Sequence, residues 1–256
     1  MLFKSINYPV FILCLLLFAS TGQAATTLVT VASDFTKPMT DIAEAFDKAT
    51  GHHANLSFGS SGKSFAQIQN GAPFEVFLSA NEKYPLELEK TGFAVADSHF
   101  VYAIGKLVLW SKMDNYVDNE GRILSTGGFK HIAIANPVHA PYGVAAKETM
   151  KSLGVFDKLQ ALLVEGENIA QTFQFVSTGN VELGFVAFAQ VIDVSTGKIG
   201  SGSGWIVPDN LHSPFRQTAV LLKTGVENPA ALALMDFLKS PTALAIIKKY
   251  GFGLPE

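Results

Sequence analysis

Hydrophobic positions along the chain alternate between two kinds of pattern. The stretch TTLVTVAS (26–33) is rich in Val and Thr and predicts a strand. The following stretch, KPMTDIAEAFDKATG (37–51), places Met39, Ile42 and Phe46 at helical spacing. Strands that alternate with helices are typical of a sheet of parallel strands covered by helices.

The same alternation continues and divides the chain into two similar α/β units. The first unit continues with predicted strands at 53–58 and 74–80, predicted helices at 63–71 and 84–92, and a long apolar segment at 100–111. The second contains predicted strands at 131–136 and 183–189, predicted helices at 143–154 and 168–179, and a segment at 158–166. A strand at 217–223 and two short helices within 228–251 would complete the first unit.

Two glycine-rich stretches come close to nucleotide-binding motifs but do not match them. In NLSFGSSGKS (55–64), a phosphate-binding P-loop would need glycine where Ser57 stands. In STGKIGSGSGWIVPDN (195–210), the glycine spacing is wrong for a dinucleotide fingerprint, and Trp205 and Pro208 stand where a helix would follow. We therefore predict no nucleotide site, and we interpret 195–210 as a flexible surface loop.

The N-terminus has the pattern of a secretory signal peptide. Lys4 precedes the apolar run VFILCLLLFA (10–19), and small residues follow up to Ala24. We expect cleavage after Ala24, which would remove Cys14, the single cysteine of the chain. Because Cys14 lacks the small neighbours of a lipid-attachment site, we expect an untethered protein in a Gram-negative periplasm.

Composition and motifs narrow the range of functions. A formal net charge of −3 provides no basic field for nucleic acid. The adjacent His52 and His53 cannot both face one metal from a strand, and the other histidines show no ligand spacing. The sequence also lacks the Gly-x-Ser-x-Gly elbow of serine hydrolases. We therefore expect a monomeric binding protein, with no enzymatic activity, no cofactor and no nucleic-acid partner.

Four turns between a predicted strand and a predicted helix carry small or polar residues. They are Ala32-Ser33-Asp34, Gly59-Ser60-Ser61-Gly62, the turn that ends in Tyr142-Gly143, and Gly166-Glu167-Asn168-Ile169. Each would present unpaired N–H groups at the positive end of a helix, where ligands of open α/β sheets bind. The arginines of the chain, Arg122 and Arg216, lie at none of these turns. The pattern therefore indicates that neutral dipoles bind a small anion.

Several segments, spread over nearly the whole chain after the signal peptide, carry a family resemblance. They are NGAPFEVFLSANEK (70–83), YAIGKLVLWS (102–111), HIAIANPVHAPYG (131–143), LGFVAFAQV (183–191) and AIIKKYGF (245–252). Through them the sequence resembles the periplasmic molybdate-binding proteins of ABC transporters. The resemblance implies a type II periplasmic binding protein fold, with two α/β lobes of parallel or mixed sheets joined by crossing strands. It also implies that the lobes close around molybdate or tungstate, which a membrane permease then receives.

The resemblance further implies which residues form the oxyanion site. They are Ser33, Asp34, Ser61, Tyr142 and Ile169, with no direct protein ligand to the molybdenum atom. Ser33 and Ser61 would donate hydroxyl and backbone N–H bonds, whereas Asp34 and Ile169 would donate only backbone N–H bonds. Tyr142 would donate its hydroxyl or its amide.

Some positions of this site leave alternatives open. Some family members have a tyrosine donor where this sequence has Ala187, and Tyr142 would replace that donor. An ionised Asp34 carboxylate repels a dianion, so we expect it to point toward the N-terminus of its own helix. The alternative is that it accepts a proton from the ligand, which would favour hydrogen phosphate. We expect Lys63 to point to solvent, and His139 to lie close enough to influence the cleft.

The resemblance also implies the domain organisation. Residues 1–24 would be the signal peptide, 25–105 and 218–256 one discontinuous lobe, and 106–217 the other lobe. The hinge would fall near Gly105 and Thr218. Because the sequence does not give the size of the cavity, another tetrahedral oxyanion, sulfate or phosphate, is the alternative ligand.

Overall fold

The computed structural model describes residues 24–255, which form two five-stranded sheets. Cys14 and the predicted signal peptide, apart from its last residue, lie outside the described residues. In spatial order, the first sheet contains β2 (His53–Gly59), β1 (Thr26–Ala32), β3 (Val76–Ser79), β12 (Arg216–Leu221) and β4 (Phe100–Ile104). The second contains β11 (Ser203–Ile206), β5 (Leu107–Ser111), β8 (Leu183–Ala187), β6 (Ile132–Ala135) and β7 (Leu163–Gly166). A short hairpin joins β9 (Ile192–Asp193) to β10 (Lys198–Ile199).

Helices pack against both sheets. Around the first sheet lie α1 (Thr36–Thr50), α2 (Ser61–Gln69), α3 (Lys83–Lys90), α9 (Pro229–Phe237) and α10 (Pro241–Lys249). Around the second lie α4 (Ile123–Thr126), α5 (Pro141–Ser152), α6 (Phe156–Leu159), α7 (Ile169–Ser177) and α8 (Phe188–Val191). Each sheet therefore has its own hydrophobic core, which makes the molecule two-lobed.

Helix α1 shows how the sequence pattern builds the first lobe. Met39, Ile42 and Phe46 are completely buried on the face that covers the sheet, as the helical spacing predicts. The helix ends at Gly51, whose φ of 72° lies in the left-handed region that glycine adopts without strain. Burial of this apolar stripe fixes the beginning of α1, and with it the turn that follows β1.

The chain crosses between the lobes twice. It passes from β4 to β5 between Ile104 and Leu107, and it returns from β11 to β12 between Ile206 and Arg216. The first crossing contains Gly105, and the pairing of β12 with β4 shifts register between Gln217 and Thr218. The predicted hinge positions lie at these features, and their role as hinges stays a prediction.

One expectation about local structure is wrong. The stretch 195–210 contains β10 and β11, and β11 pairs antiparallel with β5, because the second lobe needs an edge strand to return the chain to the first lobe. Both sheets are mixed, which is one of the two forms that the family resemblance implies. Strand β12 runs antiparallel to β3 and β4, since it enters the first sheet from the other lobe.

Within residues 24–255, no single helix is long and apolar enough to cross a membrane. Helices α9 and α10 reach that length and composition only as a pair, and they meet at a bend of 61°. Both contribute to the core of the first lobe, through Leu234 and Ile247, which are completely buried.

Candidate functional site

The first lobe places two polar turns side by side. Strands β1 and β2 are parallel, and their last residues, Ala32 and Gly59, are direct partners in the register. The turns that follow therefore lie at the same edge of the sheet, with Ser33 after β1 and Ser61 after β2. Both serines are almost completely buried, at 5% and 1% exposure.

The second lobe repeats this arrangement. Strands β6 and β7 are parallel, and their last residues, Ala135 and Gly166, are also partners. The turn after β6 leads to Tyr142 in the first turn of α5, and the turn after β7 leads to Ile169, the first residue of α7. Tyr142 and Ile169 are both buried.

Helix α7 begins with an amide that its cap does not satisfy. The side chain of Asn168 accepts hydrogen bonds from the backbone N–H groups of Ala170 and Gln171, both at 3.0 Å. The N–H of Ile169 lies outside this cap, and the first amide of a helix has no partner within the helix. Ile169 is therefore suited to donate its backbone N–H to an anion.

The two lobes touch each other at these turns. The backbone N–H of Ala170 donates to the hydroxyl of Ser33 at 3.4 Å, and the N–H of Gly62 donates to the carbonyl of His139 at 2.8 Å. The Lys63 ammonium lies 2.7 Å from the Glu167 carboxylate. The expectation that Lys63 points to solvent is therefore wrong, since its half-exposed side chain pairs with the other lobe. The structure is a closed arrangement in which the four turns meet.

The serine hydroxyls keep their hydrogens available. Ser61 Oγ accepts a hydrogen bond from the backbone N–H of Ala80 at 3.0 Å, and Ser33 Oγ accepts the longer bond from Ala170. A serine hydroxyl has one donor hydrogen and two acceptor lone pairs, so an acceptor position is used in each case. The O–H of each serine is left to donate to a ligand.

Three further hydroxyls are buried without a hydrogen-bond partner among the described residues, and two of them lie at the turns. Those two belong to Ser60 and Tyr142, whereas the third, Thr27, lies near the start of β1. Ser60 precedes α2 as its N-cap, but its side chain caps no amide. The ring of Tyr142 stacks on Phe215 with the centroids 4.0 Å apart, which fixes its position at the crossing between the lobes. Buried polar groups are rarely left unpaired, so these hydroxyls mark a polar ligand site.

The carboxylate of Asp34 lies in a buried polar network between the lobes. Asp34 is 3% exposed, and one of its oxygens accepts a hydrogen bond from the side-chain amide of Gln217. The hydroxyl of Tyr102 donates to the amide oxygen of Gln217 at 2.8 Å, which orients the NH₂ group toward Asp34. The other carboxylate oxygen has no hydrogen-bond partner among the described residues.

The expectation that the Asp34 carboxylate caps its own helix is wrong, because it accepts a hydrogen bond from Gln217 instead. Neither α1 nor the short 3₁₀ turn before it has a side-chain cap, and the carboxylate faces the strand β12 of the crossing. A contact between residues so distant in sequence depends on how β1 and β12 assemble in one sheet. The backbone role that we expect for Asp34 stays a prediction.

Burial controls the ionisation of this network. Desolvation raises the pKa of Asp34 from 3.8 to about 6, although the Gln217 amide, the nearby Tyr142 hydroxyl and, less strongly, the amides of its own turn favour the charged form. The pKa values of Tyr102 and Tyr142 are raised well above their usual value, by burial first and then by the negative charge of Asp34. Both tyrosines are therefore neutral hydrogen-bond donors near neutral pH.

The structure brings the predicted site residues to the place where the two lobes meet, and their roles as ligand donors stay predictions. Ser60 and Gln217 are not among the residues that the sequence predicts for the site. The second serine of the Gly-Ser-Ser-Gly turn is a signal for Ser60, and a glutamine in an otherwise apolar buried strand is a signal for Gln217. Ala187, at the position where some family members have a tyrosine donor, is completely buried. Its backbone N–H donates to the side-chain oxygen of Gln190 at 2.9 Å.

The site has the chemistry of an anion receptor whose own binding groups are uncharged. Hydroxyl groups and helix N-terminal amides converge on it, and they stabilise a negative charge through dipoles. Among the described residues, no group of three or more His, Cys, Asp or Glu side chains could hold a metal ion. The site therefore suits an oxyanion that is bound through its oxygen atoms.

Comparison with known proteins agrees with this geometry. The family described as bacterial extracellular solute-binding protein matches residues 27–253. Over 238 residues, covering 93% of this chain and 94% of the relative, the sequence is 54% identical to the molybdate-binding protein ModA of Azotobacter vinelandii. It is 49% identical to ModA of Rhodobacter capsulatus over 231 residues, covering 90% of this chain and 89% of the relative.

A solved structure shows the same fold. The periplasmic molybdate-binding protein of Azotobacter vinelandii superposes with a TM-score of 0.87 at 45% sequence identity, covering 90% of this chain and all of the other. Its fold is the two-lobed architecture described above. The family match over almost all described residues, together with these relatives, shows that the chain belongs to the bacterial extracellular solute-binding protein family.

Proposed function

We propose that this protein captures molybdate, and also tungstate, between its two lobes and delivers the anion to the membrane permease of an ABC transporter. The observation that carries the proposal is the convergence of buried neutral donors from both lobes, seen in the contact of Ser33 with Ala170. The names of the relatives, molybdate-binding and periplasmic, support the ligand and the compartment. The protein would act as a monomer in the periplasm after loss of its signal peptide, as a carrier and not as an enzyme.

Each lobe would contribute donors to the tetrahedral anion. Ser33 and Ser61 would donate their hydroxyl hydrogens, and Ile169 and Asp34 would donate backbone N–H groups. Tyr142 would donate the hydroxyl that has no partner among the described residues. Bonds of this kind to a charged acceptor are stronger than bonds between neutral groups, so a site without cations can still hold a dianion.

Closure of the lobes would shield the anion from water. Residues 25–105 and 218–256 would move as one lobe and 106–217 as the other, with Gly105 and Thr218 near the hinge. The shift in strand register at Gln217 and Thr218 supports a flexible point there. The closed surface would be what the permease recognises.

Isothermal titration calorimetry tests the ligand directly. The protein lacking residues 1–24, stripped of anion, is titrated separately with molybdate, tungstate, sulfate and phosphate. We expect tight one-to-one binding of molybdate and tungstate and no measurable binding of the other two. Tight binding of sulfate or phosphate, with weak binding of molybdate, would replace the proposed ligand by another oxyanion.

The double variant Ser33→Ala/Ser61→Ala tests the site. If each bond to the charged ligand contributes about 1.5–3 kcal/mol, the loss of both costs about 3–6 kcal/mol. That corresponds to roughly 10²- to 10⁴-fold weaker binding of molybdate in calorimetry. Ser195→Ala, an exposed serine in the surface hairpin, is the matched control and should bind like the wild type. A double variant with wild-type affinity would show that the anion binds elsewhere.

A further inference from the structure

The buried carboxylate of Asp34 has no obvious place in a receptor for a dianion. It follows Ser33 in the chain and interacts with Tyr142, so an anion held by Ser33 and Tyr142 would lie near this carboxylate. Two negative groups in a desolvated site repel each other strongly, because the low dielectric constant does not screen them. A charged Asp34 would therefore oppose the binding that the surrounding donors favour.

The groups that face Asp34 do not supply a compensating positive charge. Strand β12 presents the Gln217 amide, β4 presents Tyr102, and α5 presents Tyr142. The neighbouring helices α7 and α8 contain no ionisable residue.

The cations on the adjoining elements point elsewhere. Arg216, beside Gln217 on β12, pairs with Glu82 at 2.7 Å. Lys37, in the first turn of α1, directs its ammonium toward the carbonyl of Gln190 at 3.5 Å. Lys106, next to Gly105 in the first crossing, places its ammonium over the ring of Phe188, 5.9 Å from the ring centroid. None of these three cations is paired with Asp34, so a proton is the positive charge that remains available to it.

The proton can bind to the carboxylate oxygen of Asp34 that Gln217 does not contact. Gln217 occupies one carboxylate oxygen as a donor, and Tyr102 holds the Gln217 amide in this orientation. The second oxygen is buried, and its polar neighbour is the Tyr142 hydroxyl, whose interaction favours the ionised carboxylate. Once the carboxyl is protonated, it would instead donate to that hydroxyl, which would direct its own hydrogen to the ligand. A carboxylic acid that is protonated on the second oxygen becomes a hydrogen-bond donor, while an ionised carboxylate only accepts.

We propose that Asp34 takes up one proton from solvent when the protein binds its oxyanion, and that the resulting neutral carboxyl group stabilises the closed, loaded state. The step is a simple protonation of a carboxylate, with bulk water or buffer as the source of the proton. This inference rests on the proposed function, because it assumes that a dianion occupies the site beside Ser33. Asp34 would then make anion capture dependent on pH.

The burial that raises the pKa of Asp34 to about 6 agrees with this assignment. With a pKa of about 6 in the closed arrangement, the carboxyl is mostly ionised near pH 7.5, and an adjacent dianion raises its pKa further. Proton uptake on binding means that affinity falls as pH rises. The dissociation constant for molybdate should increase about tenfold per pH unit above the pKa of the empty protein, until the pKa of the loaded protein is reached.

Calorimetry in two buffers measures this proton without any mutation. The wild-type protein is titrated with molybdate at pH 7.5 in Pipes and in Tris, whose ionisation enthalpies differ strongly. We expect the observed enthalpies to differ by nearly one buffer ionisation enthalpy per bound anion. Equal enthalpies in the two buffers, together with tight binding, would overturn the role of Asp34 and leave the proposed function intact. Absence of molybdate binding in both buffers and at every pH would instead overturn the proposed function.

The variant Asp34→Asn identifies the group that takes up the proton. It should bind molybdate with the same enthalpy in both buffers and with an affinity that changes less than twofold between pH 6.5 and 8.5. Asp209→Asn, at an exposed position, is the matched control and should keep the proton uptake of the wild type. Proton uptake that persists in Asp34→Asn would assign the proton to another group, such as His139, and refute the proposal.

Discussion

Substitution of Gly62 by alanine should weaken anion binding without weakening the fold. Gly62 lies in the first turn of α2, where its N–H donates to the carbonyl of His139 in the other lobe. A Cβ atom at this position would lie 2.8 Å from that carbonyl oxygen and 2.9 Å from the His139 Cα. Both are backbone atoms, so they cannot move aside as a flexible side chain would. The Cβ would also lie 2.9 Å from the Tyr84 hydroxyl of the same lobe, which is the end of a side chain and can shift. The added methyl group therefore prevents complete closure of the lobes.

The size of the effect follows from the cost of overpacking. Forcing an extra methyl group into a close-packed contact costs about 1–3 kcal/mol. If closure is part of binding, the whole cost is subtracted from the binding free energy, which predicts roughly 5- to 140-fold weaker binding. A form with the lobes apart would not make the contact between Gly62 and His139. Replacing glycine by alanine in its helix should stabilise the empty protein by up to about 1 kcal/mol.

Three measurements on Gly62→Ala separate these effects. Calorimetry with molybdate gives the affinity, thermal unfolding of the empty protein gives the stability, and small-angle X-ray scattering gives the compaction on binding. We expect lower affinity, an equal or higher unfolding temperature, and smaller compaction than in the wild type.

Gly59→Ala is the matched control for this substitution. It lies in the same turn, and a Cβ there meets nothing within 4 Å. It should therefore leave the compaction on binding unchanged. A Gly62→Ala protein that binds and compacts like the wild type would refute the idea that closure presses Gly62 against His139.

The remaining predictions concern the ion pair, the second serine and the buried acid. Lys63→Ala should weaken molybdate binding by about 0.2–1 kcal/mol because the pair with Glu167 is half-exposed, and calorimetry on the double variant with Glu167→Ala should reveal the coupling. Ser60→Ala should weaken binding if its unpartnered hydroxyl contacts the anion, and unchanged affinity would exclude that contact. Because the pKa of Asp34 is raised in the folded state, its favourable contribution to stability is complete below pH 3.8 and is lost as pH rises through about 6. Urea unfolding of the empty protein should therefore show Asp34→Asn gaining up to about 3 kcal/mol over the wild type between pH 4 and pH 8, and a pH-independent difference would contradict this.

Most of the helices and strands, and the sheet edges at which the site is built, follow from the local sequence pattern. Helical spacing in α1 and the Val- and Thr-rich pattern of β1 follow from local burial, which is periodic and therefore visible in the sequence. The polar turns after β1 and β2 must meet at one edge because parallel strands end together, as the pairing of Ala32 with Gly59 confirms. Family resemblance added the two-lobed fold, which the structural comparison also confirms.

The way in which the two lobes meet, and the groups that surround the buried Asp34, depend on long-range packing. The contact between Asp34 and Gln217 joins residues 183 positions apart, and no periodic pattern records it. The same is true of Gly62 against His139, and of Lys63, which a local argument directed to solvent. These contacts depend on the paths of two crossing connections and on the packing of two sheets. Long-range packing therefore determines the charge state of Asp34 and how closely the lobes approach each other. The local sequence pattern determines only which hydrogen-bond donors lie at the turns.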